Sequence, residues 1–144
     1  MSVLRVEPVQ TADAKIIDAC HRLIPQLSSS SQAITPSELE EIISSDATVM
    51  FAAQLGGSVV GLLTLAIFRI PTGVRAWIED VVVDENARGK GVGEALNQAA
   101  LDEAKRRGAK TVDLTSRPSR EAANRLYQRI GFVRRDTNVY RFDL

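Results

Sequence analysis

A glycine-rich turn between a predicted strand and a predicted helix constrains this chain more than any other stretch. Ile78–Val83 has the apolar character of a strand, and a helical pattern begins after Arg88–Gly93, which holds three glycines. Glycine lets the backbone approach a ligand closely, and the N–H groups at the start of a helix attract anions. The turn therefore predicts an anion site in a chain that combines strands with helices.

Two common phosphate motifs are excluded. A P-loop requires Ser or Thr after its lysine, but Lys90 is followed by Gly91. The dinucleotide fingerprint requires a further glycine that this chain lacks at the necessary spacing. What remains is Arg-x-x-Gly-x-Gly, formed by Arg88, Gly91 and Gly93. This pattern suits a pyrophosphate, and an ordinary glycine-rich turn is the alternative interpretation.

Composition limits the class of protein. The length of 144 residues fits one domain, 1–144, and the net charge of zero argues against a general attraction to nucleic acid or membranes. The single cysteine, Cys20, excludes an internal disulfide, and its helical spacing predicts a buried core thiol. No signal peptide is recognised, and the apolar run Val59–Phe68 is shorter than the ~20 residues that span a bilayer. We therefore expect a soluble cytoplasmic protein.

Hydrophobic periodicity and turn residues predict a mixed α/β domain with one sheet. Thr11 is predicted to cap a first helix that Pro25 ends, and Thr35 and Glu38 form a capping box for a second helix that runs to about Ser44. Two more helices are predicted, one after the glycines and one over Arg120–Ile130. The predicted strands are Val3–Glu7, Thr48–Gln54, Ser58–Ile70, Ala76–Val83, Thr111–Thr115, Val133–Arg135 and Asn138–Phe142. The segment Leu55-Gly56-Gly57 predicts a hairpin turn between the second and third of these strands.

Two segments resemble signatures of the GCN5-related N-acetyltransferase (GNAT) superfamily. Ile78–Val83 followed by Arg88–Gly93 resembles its acetyl-CoA-binding motif, and Leu126–Phe132 is similar to its second signature at the expected separation. The resemblance covers roughly Ala76 to Val133. It implies the GNAT fold, an α/β (α+β) domain whose mixed, mostly antiparallel sheet of roughly six to seven strands is flanked by about four helices.

The resemblance also implies where acetyl-CoA binds. The fourth strand is expected to splay from the fifth, and pantetheine is expected to bond to the backbone of Val81, Val82 and Val83. The pyrophosphate is expected on the amides of Arg88, Gly89, Lys90, Gly91, Val92 and Gly93. The implied reaction is direct transfer of acetyl to a primary amine in a ternary complex, with no metal and no covalent enzyme intermediate.

The resemblance implies Glu79, nine residues before Arg88, as the base, with Asp80 as the alternative. A carboxyl pKa near ~4.3 lies far below ~10.4 for an ammonium group, so the carboxylate can take the proton only once attack makes the nitrogen acidic. Strand alternation places Glu79 and Asp80 on opposite faces unless a bulge intervenes. Either carboxylate could instead pair with a surface cation.

Three residues of the last predicted helix are candidate cofactor contacts. In the second signature, Tyr127 is expected to face the leaving thiol and to donate a proton or a hydrogen bond to it. Many relatives carry asparagine seven residues before this tyrosine, where the chain has Arg120. Arg120 is therefore predicted to contact a phosphate or the pantetheine, with a solvated loop cation as the alternative. Asn124 lies on the same helix at another phase.

The sequence leaves the acceptor and the activity open. A non-catalytic acetyl-CoA sensor is one alternative, and an acetyltransferase acting on proteins rather than small molecules is another. A small amine would favour a pocket closed by the loop Leu27–Ala33, and a protein target would favour an open groove. The apolar segment Asn138–Leu144 is predicted to pair across subunits, which gives a homodimer.

Overall fold

The computed structural model describes residues 3–144, which fall into a larger unit that ends at Leu114 and a smaller one, Thr115–Leu144. The prediction of a single domain stays a prediction. The larger unit contains β1 (Leu4–Pro8), α1 (Ala14–Leu27), α2 (Pro36–Ser44), β2 (Thr48–Leu55), β3 (Ser58–Ile70), β4 (Gly73–Val83), α3 (Val92–Arg106) and β5 (Thr111–Asp113). A 3₁₀ turn, Glu85–Ala87, precedes α3, and the smaller unit contains α4 (Glu121–Ile130).

The sheet has the order β1-β2-β3-β4-β5. The first three pairings are antiparallel, and β4 pairs with β5 in parallel, so the predicted mixed, mostly antiparallel sheet is confirmed. The predicted count of six to seven strands is wrong, because the described residues form five. Neither 133–135 nor 138–142 is a strand. Their apolar composition suits a strand, but a strand also needs a neighbour for its hydrogen bonds, and no described segment pairs with them.

Helix α1 differs from its prediction at both ends. Asp13, not Thr11, is the N-cap, and its carboxylate accepts a hydrogen bond of 3.0 Å from the Ile16 N–H. The helix also continues through Pro25 to Leu27. A proline in the last turn removes only one helical hydrogen bond, and the Ser28 N–H closes that turn on the Ile24 carbonyl at 2.8 Å.

Two other local predictions are confirmed. The Thr35 hydroxyl accepts from the Glu38 N–H at 3.1 Å, and the Glu38 carboxylate accepts from the Thr35 N–H at 2.9 Å, so α2 begins with a capping box. Gly56 and Gly57 both have positive φ in the turn between β2 and β3. This is the backbone that a two-residue hairpin requires.

The helices of the larger unit cover both faces of its sheet. One face packs against α1 and α2 through a core that includes Cys20, which the sequence predicted to be buried. The other face packs against α3, and a Cβ at Gly61 would lie 2.9 Å from both Leu96 and Val92 of that helix. No helix among residues 3–144 is long and apolar enough to cross a membrane. The close approach at Gly61 fixes α3, and with it the glycine-rich turn, against β3.

Candidate functional site

Strand β4 carries a bulge at the two candidate carboxylates. Thr64 of β3 pairs with Glu79, and Leu62 pairs with Val82, so one residue of β3 faces two residues of β4. Asp80 lies in this bulge with φ +49°, the only described residue other than glycine with positive φ. Such a backbone costs roughly 1–3 kcal/mol and is common at functional sites. The bulge is therefore a local feature that the rest of the fold must hold in place.

The bulge changes which way the two carboxylates face. Directly opposed residues of antiparallel strands share a face, so Glu79 lies on the Thr64 face of the sheet. Thr64 and Asp80 both line one cavity on that face. The bulge thus turns two adjacent acidic residues toward the same side of the sheet, which regular alternation does not allow. Both side chains are exposed, and their roles stay predictions.

The second half of β4 has an unpaired edge. Strand β5 pairs with β4 only at Arg75, Ala76 and Trp77. Beyond Trp77, β4 continues to Val83, and no strand of residues 3–144 pairs with this edge there. The pairing ends at Trp77 because β5 itself ends at Asp113, which leaves the backbone groups of Val81–Val83 without a strand partner on that side. The predicted splaying of the fourth strand from the fifth stays a prediction.

The glycine-rich turn connects this strand to α3. Gly89 and Gly91 have φ of +76° and +79°, a conformation that side chains rarely adopt. A Cβ built at either glycine would have no neighbour within 4 Å. The glycines thus allow a left-handed backbone and leave open space beside the turn. The side chains next to them in the sequence, Arg88 and Lys90, are exposed cations.

The first turn of α3 lacks a side-chain cap. Gly91 is the N-cap and makes no side-chain hydrogen bond, and the first helical bond runs from the Ala95 N–H to the Gly91 carbonyl at 3.0 Å. The N–H groups of Val92 and Gly93 have no acceptor within the helix. Together with the helix dipole they provide the field that favours an anion.

Tyr127 is a buried residue of the smaller unit, with 7% of its surface exposed. Its ring meets Phe132 edge to face, with 5.8 Å between the ring centroids. Burial raises the pKa of the Tyr127 hydroxyl, and the charge of Arg120 and a hydrogen bond from it oppose that rise. The hydroxyl is therefore protonated at neutral pH and can donate.

The other candidates on α4 have partners within the smaller unit. Arg120 is the N-cap of α4, seven residues before Tyr127, and interacts with that tyrosine's hydroxyl. The Asn124 amide donates to the Arg117 carbonyl at 2.9 Å, which holds the loop before the helix. The cofactor contacts predicted for Arg120 and Asn124 stay predictions.

The Arg120 contact gives a pH-dependent prediction. We expect the Tyr127 hydroxyl to titrate at a higher pH in Arg120→Ala, because a nearby positive charge stabilises the phenolate. The chain has two tyrosines, so a Tyr140→Phe background leaves Tyr127 as the only one, and tyrosinate absorbance then reports its pKa. Arg117→Ala is the matched control. An unchanged titration in Arg120→Ala would contradict the contact.

The free edge of β4, the left-handed glycines and the uncapped helix follow one another along the chain. The profile of the Acetyltransferase (GNAT) family matches residues 17–132. The chain belongs to the GNAT family. The GNAT fold inferred from the two motifs is thereby confirmed.

A curated GNAT relative matches part of the chain. N-alpha-acetyltransferase 30 of Schizosaccharomyces pombe is 37% identical over 73 residues, which are 51% of this chain and 48% of that protein. The chain thus spans about half the length of this relative.

Solved structures of two acetyltransferases share the fold. The aminoglycoside acetyltransferase meta-AAC0020, from an uncultured soil metagenomic sample and in complex with sisomicin, has a TM-score of 0.86 at 19% identity, over 98% of this chain and 95% of that one. The aminoglycoside N-acetyltransferase AAC(6')-Iy in complex with CoA has a TM-score of 0.84 at 17% identity, over 99% and 96%. At these identities the likeness shows the GNAT fold alone.

Sequence reasoning missed part of the site. The cavity that Asp80 lines also has walls from Cys20, His21 and Thr64, none of which was predicted as a site residue. Helical and strand periodicity place these residues in their elements but do not show that the bulge turns Asp80 toward them. The one sequence signal for this cavity was the serine-rich loop, since Ser31, Gln32 and Ala33 line it.

Proposed function

We propose that this GNAT protein is an acetyl-CoA-dependent N-acetyltransferase that acts on a primary amine by direct attack in a ternary complex. The observation that carries the proposal is the unpaired edge of β4, which leads directly into the left-handed Gly89 and Gly91. An extended, amide-containing arm can add to a strand edge, and a pyrophosphate can occupy a helix start. Acetyl-CoA has both groups in this order.

The residues present fit acetyl-CoA. Val81–Val83 would hold the pantetheine through backbone groups on the free edge. The amides of Arg88–Gly93 would hold the pyrophosphate, because the turn has open space beside its glycines and α3 has no side-chain cap. When bound, acetyl-CoA supplies an acetyl group activated as a thioester.

Local positive charge supports phosphate binding in a chain whose net charge is zero. Arg88 and Lys90 adjoin the turn and supply that charge. We propose Arg120 as a contact to a phosphate or the pantetheine, with Asn124 as a further cofactor contact. The interaction of Arg120 with Tyr127 supports this role, because it places the guanidinium beside the hydroxyl that is proposed to bond to the leaving thiol.

We propose that Glu79 or Asp80 accepts the proton that the amine nitrogen loses during acetyl transfer. An ammonium acceptor first loses one proton to solvent, which leaves a neutral nitrogen. That nitrogen forms a bond to the acetyl carbon as the carbon–sulfur bond breaks, and its second proton passes to the carboxylate. Both carboxylates are exposed and have no hydrogen bond or salt bridge to any of residues 3–144, so either one is able to accept.

Tyr127 is the proposed donor to the leaving sulfur. The thiolate takes up one proton, so each acetylation of an ammonium releases one proton to solvent. A thiol pKa near ~8.5 and a tyrosine pKa near ~10 make a full transfer uphill by about 2 kcal/mol, whereas a strong hydrogen bond already stabilises the developing charge.

Thiol release from acetyl-CoA tests the proposal directly. The protein is incubated with acetyl-CoA and a panel of amino sugars, polyamines, amino acids, alkylamines and peptides, and mass spectrometry identifies the acetylated product. We expect thiol release with at least one small amine. Acetylation of peptides alone would assign a protein acceptor. Tight CoA binding with no product across the panel would overturn the enzyme proposal in favour of an acetyl-CoA sensor.

Assembly and location stay predictions. The segment 138–144 is not a strand, so the homodimer no longer rests on strand pairing. Tyr140 and Phe142 are 88% and 87% exposed, however, and a second copy would cover them. Light scattering at micromolar concentration is expected to give the dimer mass, and a monomer mass would contradict it.

Cell fractionation tests the predicted cytoplasmic location.

A further inference from the structure

A cavity of about 280 Å³ lies on the α1 and α2 face of the larger unit. Its volume is just below the range of about 300–1,000 Å³ typical of sites for drug-sized ligands, so a smaller molecule suits it. Six of its lining residues have a thiol or a polar side chain, and six are apolar. The former are Cys20, His21, Ser31, Gln32, Thr64 and Asp80, and the latter are Ile24, Pro25, Ala33, Ile34, Ile42 and Met50.

Asp80 is the one carboxylate among the described residues that line the cavity. Its positive φ and the bulge of β4 hold it there at a cost in backbone energy. No cation within residues 3–144 forms a salt bridge with it. Glu79 lies on the same face of the sheet, opposite Thr64. The cavity thus has an acidic end whose charge the described residues do not compensate.

The apolar walls of the cavity come from α1, α2, the loop between them and β2. Ile24, Ile34 and Ile42 contribute branched aliphatic side chains, and Met50 adds a flexible apolar surface from β2. Such walls stabilise a buried hydrocarbon by roughly 25 cal/mol for each Å² removed from water. A ligand with one cationic end and an apolar body matches both parts of the cavity.

The loop between α1 and α2 lines this cavity, and a hydrogen bond joins the loop to α1. His21 Nε2 lies 3.0 Å from the Ile34 carbonyl. Because a carbonyl only accepts, the ring nitrogen of His21 that faces it carries the hydrogen. In the same wall, Pro25 lacks the N–H that would bond to the His21 carbonyl within the helix. This carbonyl is an acceptor that suits a ligand able to donate a hydrogen bond.

We propose that the acceptor is a small aliphatic primary amine, with its ammonium group on Asp80 and its hydrocarbon body against Ile24, Ile34, Ile42 and Met50. This substrate class rests on the proposed acetyltransferase function. Asp80 is then the residue that binds and orients the amine, and Glu79 is the base that takes the nitrogen's proton. The protons and bonds balance as in the transfer described above.

Hexylamine and hexanol are the probes, since they share a hydrocarbon body and differ in the cationic group. Calorimetry on the full chain without acetyl-CoA is expected to show binding of hexylamine and weaker binding of hexanol. Asp80→Asn should weaken hexylamine binding by about 10- to 100-fold, as for a hydrogen bond to a charged group, and leave hexanol binding unchanged. Asp46→Asn, an exposed carboxylate outside the cavity, is the matched control.

Kinetics separate the two carboxylates. Asp80→Asn should raise KM for hexylamine with a smaller change in kcat, whereas Glu79→Gln should lower kcat. Equal binding of the amine and the alcohol, or unchanged hexylamine affinity in Asp80→Asn, would overturn the assignment. Acetyl-CoA affinity and thiol release with the wider amine panel are measured on the same samples. If those persist while hexylamine fails to bind, the cavity assignment is wrong and the acetyltransferase proposal stands.

Discussion

Tyr127→Phe is expected to lower kcat by about 10²-fold and to leave acetyl-CoA affinity nearly unchanged. The change removes the hydroxyl and keeps the ring that meets Phe132 at 5.8 Å, so the fold of the smaller unit should survive. General acids contribute roughly 10²- to 10⁴-fold to rates, and the lower end applies because hydrogen bonding alone already helps the leaving sulfur. Burial raises the pKa of this hydroxyl, which keeps it protonated at neutral pH.

Tyr140→Phe is the matched control for this experiment, because Tyr140 is 88% exposed and outside the proposed site. Both variants are measured with a good acetyl acceptor under conditions where chemistry limits the rate. Acetyl-CoA affinity is determined separately by calorimetry. If Tyr127→Phe is as fast as the parent protein, Tyr127 is a packing residue and another group must assist the thiol.

Gly91→Ala is expected to weaken acetyl-CoA binding by about 10- to 100-fold, since hydrogen bonds to charged groups contribute about 1.5–3 kcal/mol each. The added methyl would meet no protein atom within 4 Å, so it would occupy space proposed for the pyrophosphate. It would also strain a backbone with φ +79°. The loss of affinity should therefore exceed what the strain alone produces.

Gly57→Ala separates strain from binding. Gly57 has φ +83° and also has open space around its Cβ position, but it lies in the turn between β2 and β3. Each substitution should cost roughly 1–2 kcal/mol of folding stability, as a left-handed conformation does for other residues. Thermal unfolding checks that the two costs are similar. Unchanged acetyl-CoA affinity in Gly91→Ala would show that the turn does not hold the phosphates.

Features set by short-range chemistry were predictable from the sequence. The capping box of Thr35 and Glu38 depends on residues three apart, and the hairpin turn depends on adjacent glycines. The left-handed backbone of Gly91 before α3 is likewise a local feature, and the anion site predicted there stays a prediction. In each case the residues that determine the local backbone geometry are close together in the sequence, so the sequence pattern is enough to predict that geometry.

Features set by distant partners were not predictable in this way. Whether 138–142 forms a strand depends on a neighbouring strand, and its apolar residues alone could not show that none of the described residues provides one. Pro25 likewise ends a helix in most sequences, but here the bond from Ser28 to Ile24 completes the last turn around it. The bulge at Asp80 arises from the register of β3 against β4, which no local pattern records.

The unpaired edge of β4 also bears on colloidal behaviour. A free strand edge can recruit a strand of another molecule and start aggregation, and proteins oppose this with bulges and with charges on the edge. Both devices occur here within the unpaired stretch, as the bulge at Asp80 and the negative charges of Glu79 and Asp80. The acidic pair can thus keep the edge from joining a neighbour's sheet while the edge stays accessible to a small ligand.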